Sequence, residues 1–351
     1  MNVTPYLKLM IEKGASDLFF SCDTPPKMKL DGKMVSVGKD VLTPKMVKAA
    51  CLSIMDEEQA KYFEEELEID FAISLGTEGR FRVNAFHSKN NTGMVLRYIK
   101  AKVPNIDDLK VPPILKELIM PKRGLLLMVG ATGSGKSTTL AAMIDHRNAT
   151  SAGHILTIED PIEFIHPHKK SLINQREVGP DTKSYARALK SSLREAPDVI
   201  LIGEIRDRET MEAALELAGT GHLAISTLHA NNAFQAMTRI INMFPQALHK
   251  QLFMDMSLYM RAIISQRLVR SVDGKRRAAV EIMVNTPHIA ELMLQGQVDE
   301  MKEALENSGE KGMQSFDLSL FNLYKEGAIT MEEALGNADS RANLEAKIHF
   351  G

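Results

Sequence analysis

The sequence predicts an α/β protein in which a small α+β domain precedes a parallel-sheet domain and a helical region. Three observations support this order. Short helical and strand-like segments alternate over residues 1–103, four continuous apolar strands alternate with helices over residues 124–284, and helical patterns dominate residues 285–351. A chain of 351 residues is long enough for two or three domains.

The first domain combines helices with antiparallel strands. Apolar residues at helical spacing in TPYLKLMIEK predict a helix that ends at Gly14, and Thr43 is placed to cap a second helix. Two short strands, in SDLFF and PKMKLDGKMVSV, surround an Asp31-Gly32 turn signal. After a helix in DEEQAKYFEEEL, the segments DFAISL, GRFRVNAFHS and GMVLRYIK predict three antiparallel strands.

Residues 104–123 carry four prolines and predict a linker with a short helix in it. Beyond this linker, LLLMVG, HILTIED, DVILIGE and HLAISTLH read as strands that are apolar on both faces. Such strands are typical of a parallel sheet covered by helices on both sides. HIAELMLQG and DLSLFNLYKEG then predict helices in the C-terminal region.

Composition excludes several classes of protein. A net charge of -2 leaves no overall excess for nucleic acid, so we expect no nucleic-acid partner. With only Cys22 and Cys51, a four-cysteine zinc site is excluded, and we expect a reducing, cytoplasmic compartment. The N-terminus does not read as a signal peptide, and no apolar run near the middle approaches the ~20 residues that cross a bilayer.

A phosphate-binding loop is the strongest motif. Residues 130–138, GATGSGKST, match G-x-x-x-x-G-K-[ST] between a predicted strand and a predicted helix. Its glycines let backbone N–H groups turn toward phosphates, Lys136 can reach the β- and γ-phosphates, and Ser137 can bind Mg²⁺. We therefore expect ATP and Mg²⁺ to bind here, at Gly130, Thr132, Gly133, Ser134, Gly135, Lys136, Ser137 and Thr138.

Two acidic segments accompany this loop. Glu204 follows the apolar strand VILI, with Gly203 where a generic Walker B motif has aspartate. Because the carboxyl ends of parallel strands carry ligand sites, we expect Glu204 to hold Mg²⁺ through water or to polarise that water. The second segment, ILTIEDPIEF, offers Glu163 as the catalytic base, with Glu159 and Asp160 supporting magnesium and water. A solvated acidic turn is the alternative.

Arginines of the first domain are candidates for stabilising charge on a transferring phosphate. Arg80 and Arg82 lie two residues apart and therefore share one face of a strand, and Arg97 lies on a later strand. An ordinary solvent-facing strand with cross-strand ion pairs is the alternative interpretation.

Two histidines flank the last predicted strand, HLAISTLH. Their spacing of seven fits neither a helical zinc pair nor neighbours on one strand face, so a metal site is disfavoured. His229 follows the carboxyl end of the strand, at the edge that carries the phosphate loop, and is the better candidate for sensing the γ-phosphate, with Thr227. His222 can equally be a hydrogen-bonded structural residue.

Four segments in order, GATGSGKST, TIEDPIE, LIGEIRDRET and TGHLAISTLHANN, resemble the Walker A, Asp box, Walker B and His box of the secretion and type IV pilus ATPase superfamily. KGASDLFF near the start and GMQSFDLSLFNLYKEGAIT near the end resemble the pilus-retraction (PilT/PilU) branch. The resemblance extends over essentially the whole chain.

This resemblance implies a PAS-like N-terminal domain, a RecA-like ATPase core and a helical C-terminal extension, assembled as a homo-hexamer that retracts type IV pili in twitching motility. Glycine before the Walker B glutamate is the family's own pattern. By position, Lys136 and Ser137 bind phosphate and magnesium, Glu163 is the base, and Glu204 is the Walker B acid. The family also implies that two histidines lie near the γ-phosphate and that three arginines reach the nucleotide: His222, His229, Arg80, Arg82 and Arg97.

Three departures from the usual retraction motor resemble the accessory (PilU-type) retraction ATPases. Phe19 stands in SDLFF where SDLHL is usual, HIAELML lacks the arginine of an Ala-Ile-Arg motif, and LHANNA replaces LHT. This subtype implies dependence on a PilT-type motor. It also implies work at the cytoplasmic face of the inner membrane, with the platform protein of the pilus as a further partner and membrane contact only through partners.

Three other readings stay open at this stage. Assembly ATPases of the same superfamily usually have a longer N-terminal region and a four-cysteine zinc element, which this sequence lacks. A DNA-translocating RecA-like motor fits the motifs but is disfavoured by the neutral charge. A nucleotide-binding structural subunit with little turnover is the third reading.

Overall fold

A computed structural model describes residues 1–30, 32–76, 78–99, 103–307 and 312–350. It divides into two compact units, Met1–Lys102 with Glu163–Ile165, and Val103–Ile162 with His166–Gly351. The predicted linker and the predicted helical region both belong to the second unit. The finer boundaries, at residues 103, 123 and 284, stay predictions. Asp31 of the predicted turn lies outside the described residues.

The first unit is an antiparallel sheet with helices, as predicted. Its helices are α1 (Thr4–Lys13), α2 (Pro44–Leu52) and α3 (Glu57–Glu66). Its strands are β1 (Asp17–Phe20), β2 (Lys27–Leu30), β3 (Lys33–Ser36), β4 (Glu68–Leu75), β5 (Gly79–Ser88) and β6 (Asn91–Ile99). The sheet order is β3-β2-β1-β6-β5-β4.

Local sequence signals explain these elements. Gly14 ends α1 at a φ of 66°, and the Thr43 hydroxyl accepts a hydrogen bond from the Met46 amide at the start of α2. Along β5, buried and half-buried residues alternate, with Phe81 among the buried ones. The alternation confirms that Arg80 and Arg82 share the face opposite to the core of the unit.

The second unit is built on a seven-stranded sheet. Its strands are β7 (Gly124–Val129), β8 (Gly153–Glu159), β9 (Ser171–Glu177), β10 (Val199–Ile202), β11 (Leu223–Leu228), β12 (Met260–Arg270) and β13 (Arg276–Val284). Its helices are α4 (Ile114–Leu118), α5 (Lys136–Thr150), α6 (Tyr185–Ser192), α7 (Arg208–Gly219), α8 (Ala233–Asn242), α9 (His249–Tyr259), α10 (Pro287–Gln295), α11 (Val298–Glu306), α12 (Phe316–Lys325), α13 (Met331–Gly336) and α14 (Arg341–Phe350), with a short 3-10 helix at Gln246–Leu248.

The sheet order is β13-β12-β7-β11-β10-β8-β9, with β13 antiparallel to β12 and the other pairs parallel. The four predicted strands are therefore confirmed as parallel neighbours. The sequence interpretation missed β9, β12 and β13. HLAISTLH, predicted as the fourth strand of this domain, is therefore its fifth strand in chain order. The fourth-strand prediction is wrong because the polar sequence of β9, at the edge of the sheet, does not read as a strand.

Parallel pairing places the ends of four strands side by side. β11 lies between β7 and β10, and β10 pairs with β8 on its other side. The residues that follow these strands are Gly130, Asp160, Gly203 and His229. All four therefore lie along one edge of the sheet, where α/β proteins bind ligands. Among the described residues, no helix is both long enough and apolar enough to cross a membrane.

One buried carboxyl group joins β12, β13 and α8. Glu281 is only 4% exposed, and its Oε1 accepts hydrogen bonds from the Ala233 amide at 2.7 Å and the Ser265 hydroxyl at 2.8 Å. Burial raises the pKa of Glu281 to about 7, although both hydrogen bonds oppose this shift. The folded state therefore favours the protonated carboxyl group.

We expect Glu281→Gln to become increasingly stabilising relative to the wild type as the pH rises. When the pKa of a carboxyl group is higher in the folded state than in the unfolded state, the free energy of unfolding falls as the pH rises between the two values. For Glu281 these values are about 4.3 in the unfolded state and about 7 in the folded state. The difference in unfolding free energy between variant and wild type should grow by about 4 kcal/mol across this window. Urea denaturation at several pH values measures it. Glu303→Gln, at an exposed position of α11, is the control. A pH-independent difference for Glu281→Gln would contradict the prediction.

Candidate active site

The phosphate loop lies between β7 and α5, as the motif predicts. Gly135 precedes α5 with a φ of 85°, and Gly133 has a φ of 79°, both in the left-handed region. Lys136 is 8% exposed, and its Nζ donates to the carbonyl oxygens of Gly130 at 2.6 Å and Ala131 at 2.9 Å. The loop thus holds its own lysine at the site where phosphates are expected.

Gln266 of β12 supports this loop, and the sequence interpretation did not find it. This side chain is 2% exposed; its Nε2 donates to the Ser134 carbonyl oxygen at 2.8 Å, and its Oε1 accepts from the Thr139 hydroxyl at 2.8 Å. A Cβ atom at Gly135 would lie 2.7 Å from Gln266 Nε2. The only sequence signal was a stretch of three polar residues, Ser-Gln-Arg, between the apolar residues of AIISQRLV.

Glu204 and His229 are brought together at the sheet edge. The distance between Glu204 Oε1 and His229 Nε2 is 3.0 Å, and Glu204 Oε2 accepts from Arg206 Nε at 2.7 Å. Pairing of β11 with the segment after β10 continues beyond Ile202, because the Ile205 amide donates to the Thr227 carbonyl oxygen at 3.0 Å. The Thr227 hydroxyl, expected to assist His229, donates to the Gly203 carbonyl oxygen at 2.6 Å.

Steric crowding explains why glycine, Gly203, stands at the position where a generic Walker B motif has aspartate. A Cβ atom at Gly203 would lie 2.7 Å from the Tyr185 hydroxyl oxygen and 3.2 Å from both Glu159 Cα and the Ile158 carbonyl oxygen. An aspartate side chain therefore has no room at this position. Burial, and then the charges of Asp160, Glu159 and Glu204, raise the pKa of Tyr185, so its hydroxyl group stays protonated.

The Asp box begins at the end of β8. Glu159 Oε1 accepts hydrogen bonds from the Thr157 hydroxyl at 2.6 Å and from Gln175 Nε2 at 3.2 Å. The Asp160–Pro161 peptide bond is cis. Glu163 belongs to the first compact unit, together with Phe164 and Ile165. Its role as the base, and the magnesium roles of Glu159, Ser137 and Glu204, stay predictions.

His222 lies at the opposite end of β11 from the phosphate loop of its own chain. Its carbonyl oxygen accepts from the Gly124 amide at 3.0 Å, where β7 begins, and its Nδ1 lies 3.2 Å from the Leu217 carbonyl oxygen. The six residues of β11 span about 20 Å. The length of β11 thus separates His222 from the sheet edge that carries the phosphate loop, and the alternative of a hydrogen-bonded structural residue agrees with these contacts. Its place near a γ-phosphate stays a prediction.

Two candidate arginines of the first unit, Arg82 and Arg97, form ion pairs within that unit. Arg97 and Asp17 stand opposite each other in the β1–β6 pair, and Arg97 Nε lies 2.8 Å from Asp17 Oδ1. Arg82 Nε lies 3.6 Å from Asp70 Oδ1. These contacts agree with the cross-strand alternative for Arg82 and Arg97. Whether these two and Arg80 also reach a nucleotide stays a prediction.

A phosphate loop after β7, a glutamate after β10 and a histidine after β11, all along one edge of a mainly parallel sheet, define a P-loop ATPase core. Comparison with known proteins agrees. Residues 2–333 match the family described as "Type II/IV secretion system protein". The chain is 51% identical over 352 aligned residues to the type IV pilus ATPase PilU of Pseudomonas aeruginosa, covering 100% of this chain and 92% of that protein.

Two further comparisons identify the branch of the family to which the chain belongs. Identity to the type IV pilus retraction ATPase PilT of P. aeruginosa is 43%, covering 98% of this chain and 100% of that protein. A crystal structure of the pilus retraction motor PilT with bound ADP superposes with a TM-score of 0.92 at 39% identity, covering 98% of this chain and 99% of that one. The chain belongs to the type II/IV secretion system protein family, in the PilT/PilU branch, and is a nucleotide-binding ATPase. The recognition made from the four motifs is confirmed.

We expect Gly203→Ala to lower the thermal midpoint, because the added methyl group would lie 2.7 Å from the Tyr185 hydroxyl oxygen. Overpacking of this kind costs about 1–3 kcal/mol. Removing that oxygen with Tyr185→Phe should recover part of the loss in the Gly203→Ala background. The same change made in the wild type is the control. Equal effects of Tyr185→Phe in both backgrounds would refute the steric explanation.

Proposed function

We propose that this protein is a hexameric ATPase of the type IV pilus machine that couples ATP hydrolysis to pilus retraction, as an accessory motor that depends on a PilT-type ATPase. The Glu204–His229 contact of 3.0 Å, at the sheet edge that carries the phosphate loop, is the observation behind the enzymatic part. The accessory role is supported by the 51% identity to PilU and by the three departures from the usual retraction motor.

Each residue of the site has a step to perform. The loop amides and Lys136 bind the phosphates of ATP, and Glu163 is the group proposed to orient and deprotonate the attacking water. The hydroxyl group of Ser137 and the carboxylates of Glu204 and Glu159 are the hard oxygen donors that Mg²⁺ prefers. When bound, Mg²⁺ would neutralise charge that develops on the β- and γ-phosphates.

His229 has a different task in this scheme. Its Nε2 already faces Glu204, so a γ-phosphate beside it competes with or joins that carboxylate. Hydrolysis and loss of the phosphate return His229 to Glu204 alone. Because α8 begins at Ala233, four residues later, the change reaches a helix directly. We infer that His229 reports nucleotide state in this way.

The partners follow from the proposed function. A PilT-type ATPase and the inner-membrane platform protein of the pilus are the expected contacts, at the cytoplasmic face of the inner membrane. The second candidate is a nucleotide-binding structural subunit of the retraction motor with little turnover of its own. The PilU-like departures from the usual motor support this alternative, because they imply a subunit that works only together with a PilT-type motor.

ATP hydrolysis separates these two candidates. Wild-type protein should hydrolyse ATP, alone or with the PilT-type motor, well above Lys136→Ala and Glu204→Ala measured under the same conditions. The two substitutions remove a phosphate ligand and the Walker B carboxylate. Each loss should cost at least about a hundredfold in kcat. Wild-type turnover equal to both variants, with and without the motor, would leave the structural subunit as the function. In cells, deletion should lower the force of retraction while the PilT-type motor is present.

We expect His229→Ala to reduce kcat by about a hundredfold while the Kd for ATP stays within about threefold. The imidazole group is proposed to contact only the γ-phosphate, whereas most of the binding energy comes from the loop. Single-turnover hydrolysis and equilibrium binding of a fluorescent ATP analogue measure the two quantities. His288→Ala, at an exposed position of α10, is the control. Equal losses of binding and hydrolysis in His229→Ala would contradict the sensor role.

A further inference from the structure

The loop from His229 to Asn232, here called the sensor loop, is held at several points. Arg239 donates to the His229 carbonyl oxygen at 2.9 Å, and the Asn231 amide donates to the Gln235 side chain at 3.2 Å. Both of these partners lie on α8, the helix that follows the loop. The position of His229 is therefore governed partly by contacts that its own backbone makes.

Arg267 of β12 holds the same loop from another direction. Its Nη2 donates to the Asn231 carbonyl oxygen at 3.3 Å, two residues beyond His229. The same guanidinium group donates through Nη1 to the Asn337 carbonyl oxygen at 2.8 Å, and its Nη2 lies 2.6 Å from Asp339 Oδ1. One side chain thus contacts the sensor loop and the segment between α13 and α14.

The C-terminal side of this contact is itself well fixed. The guanidinium carbon of Arg267 lies 3.9 Å from the centre of the Phe316 ring, in the first turn of α12. Asp317 accepts hydrogen bonds from the backbone amides of Asp339 at 2.8 Å and Ser340 at 3.0 Å, which holds the acidic partner in place. At 24% exposure, the Arg267 side chain is shielded enough for these charge-assisted contacts to be strong.

We propose that Arg267 is a positioning residue that ties the sensor loop to helices α12, α13 and α14, so that the C-terminal helices set the rate of ATP hydrolysis. This inference rests on the proposed role of His229. A change in these helices, such as a partner docking on them, would move Asn337 and Asp339 and thereby loosen or tighten the loop. The consequence is control of turnover at a distance from the phosphates, with little effect on nucleotide affinity.

Three variants test the tie. Arg267→Gln removes the guanidinium group that makes the contacts on both sides. Asp339→Asn weakens the ion pair on the C-terminal side and leaves the sensor loop unchanged. Both should lower kcat by about tenfold, since a small misplacement of a group at the reacting centre is costly. The Kd for ATP should stay within about twofold, and Arg267→Lys should recover part of the rate.

Arg277→Gln is the matched control. Arg277 lies on β13, and its Nη2 stands 4.0 Å from a Glu326 carboxylate oxygen just beyond α12. It is thus a second arginine between the sheet and the C-terminal helices that makes no described contact with the sensor loop. Its substitution should leave kcat within about twofold of the wild type. This control shows whether a loss of kcat comes from a general loosening of the C-terminal helices or from loss of the contact between Arg267 and the sensor loop.

A double-mutant cycle with His229→Ala separates positioning from structural support. If Arg267 acts through His229, Arg267→Gln should cost nothing further in the His229→Ala background, measured by single-turnover hydrolysis. The same tenfold loss in both backgrounds would overturn the proposal. Wild-type kcat in both Arg267→Gln and Asp339→Asn would also overturn it. If His229→Ala alone keeps the wild-type kcat, the sensor role itself fails. A loss in His229→Ala without a loss in Arg267→Gln refutes the tie alone.

Discussion

The parallel register of β7, β11, β10 and β8 is the constraint on which the active site depends. Because these strands run in one direction and pair as neighbours, the residues that follow them meet at a single edge of the sheet. The phosphate loop, the Asp box, the Walker B glutamate and His229 are far apart in the chain and become adjacent only through this pairing. The Glu204–His229 contact of 3.0 Å is its direct product.

β12 adds a second level of organisation to this edge. Three consecutive residues of this strand contact different parts of the site or its surroundings. Ser265 donates to Glu281 of β13, which accepts from the first amide of α8. Gln266 holds the phosphate loop, and Arg267 reaches both the sensor loop and the C-terminal helices. The alternation of a strand sends Gln266 to one face of the sheet and its two neighbours to the other. A single strand thereby supports nucleotide binding on one side and the sensor loop on the other.

Much of the fold could be predicted from local signals. Gly14, Thr43 and the glycines of the phosphate loop act through backbone conformation and capping, which a short window of sequence contains. The failures have a different origin. β9 is a polar edge strand whose pattern resembles a loop. The expected place of His222 near a γ-phosphate came from resemblance alone and stays a prediction, since the residue stands at the other end of its strand.

The sequence by itself determined the order of the motifs, the ATPase class and the types of most elements, because these are encoded in residue spacings of a few positions. Only the tertiary structure decided which side chains meet. Gln266 reaches Ser134 across 132 positions, and Arg267 reaches Asn337 across 70. The lack of space at Gly203, where Tyr185 projects, is likewise a matter of packing. Such contacts arise when strands pair and helices pack, and no local pattern records them.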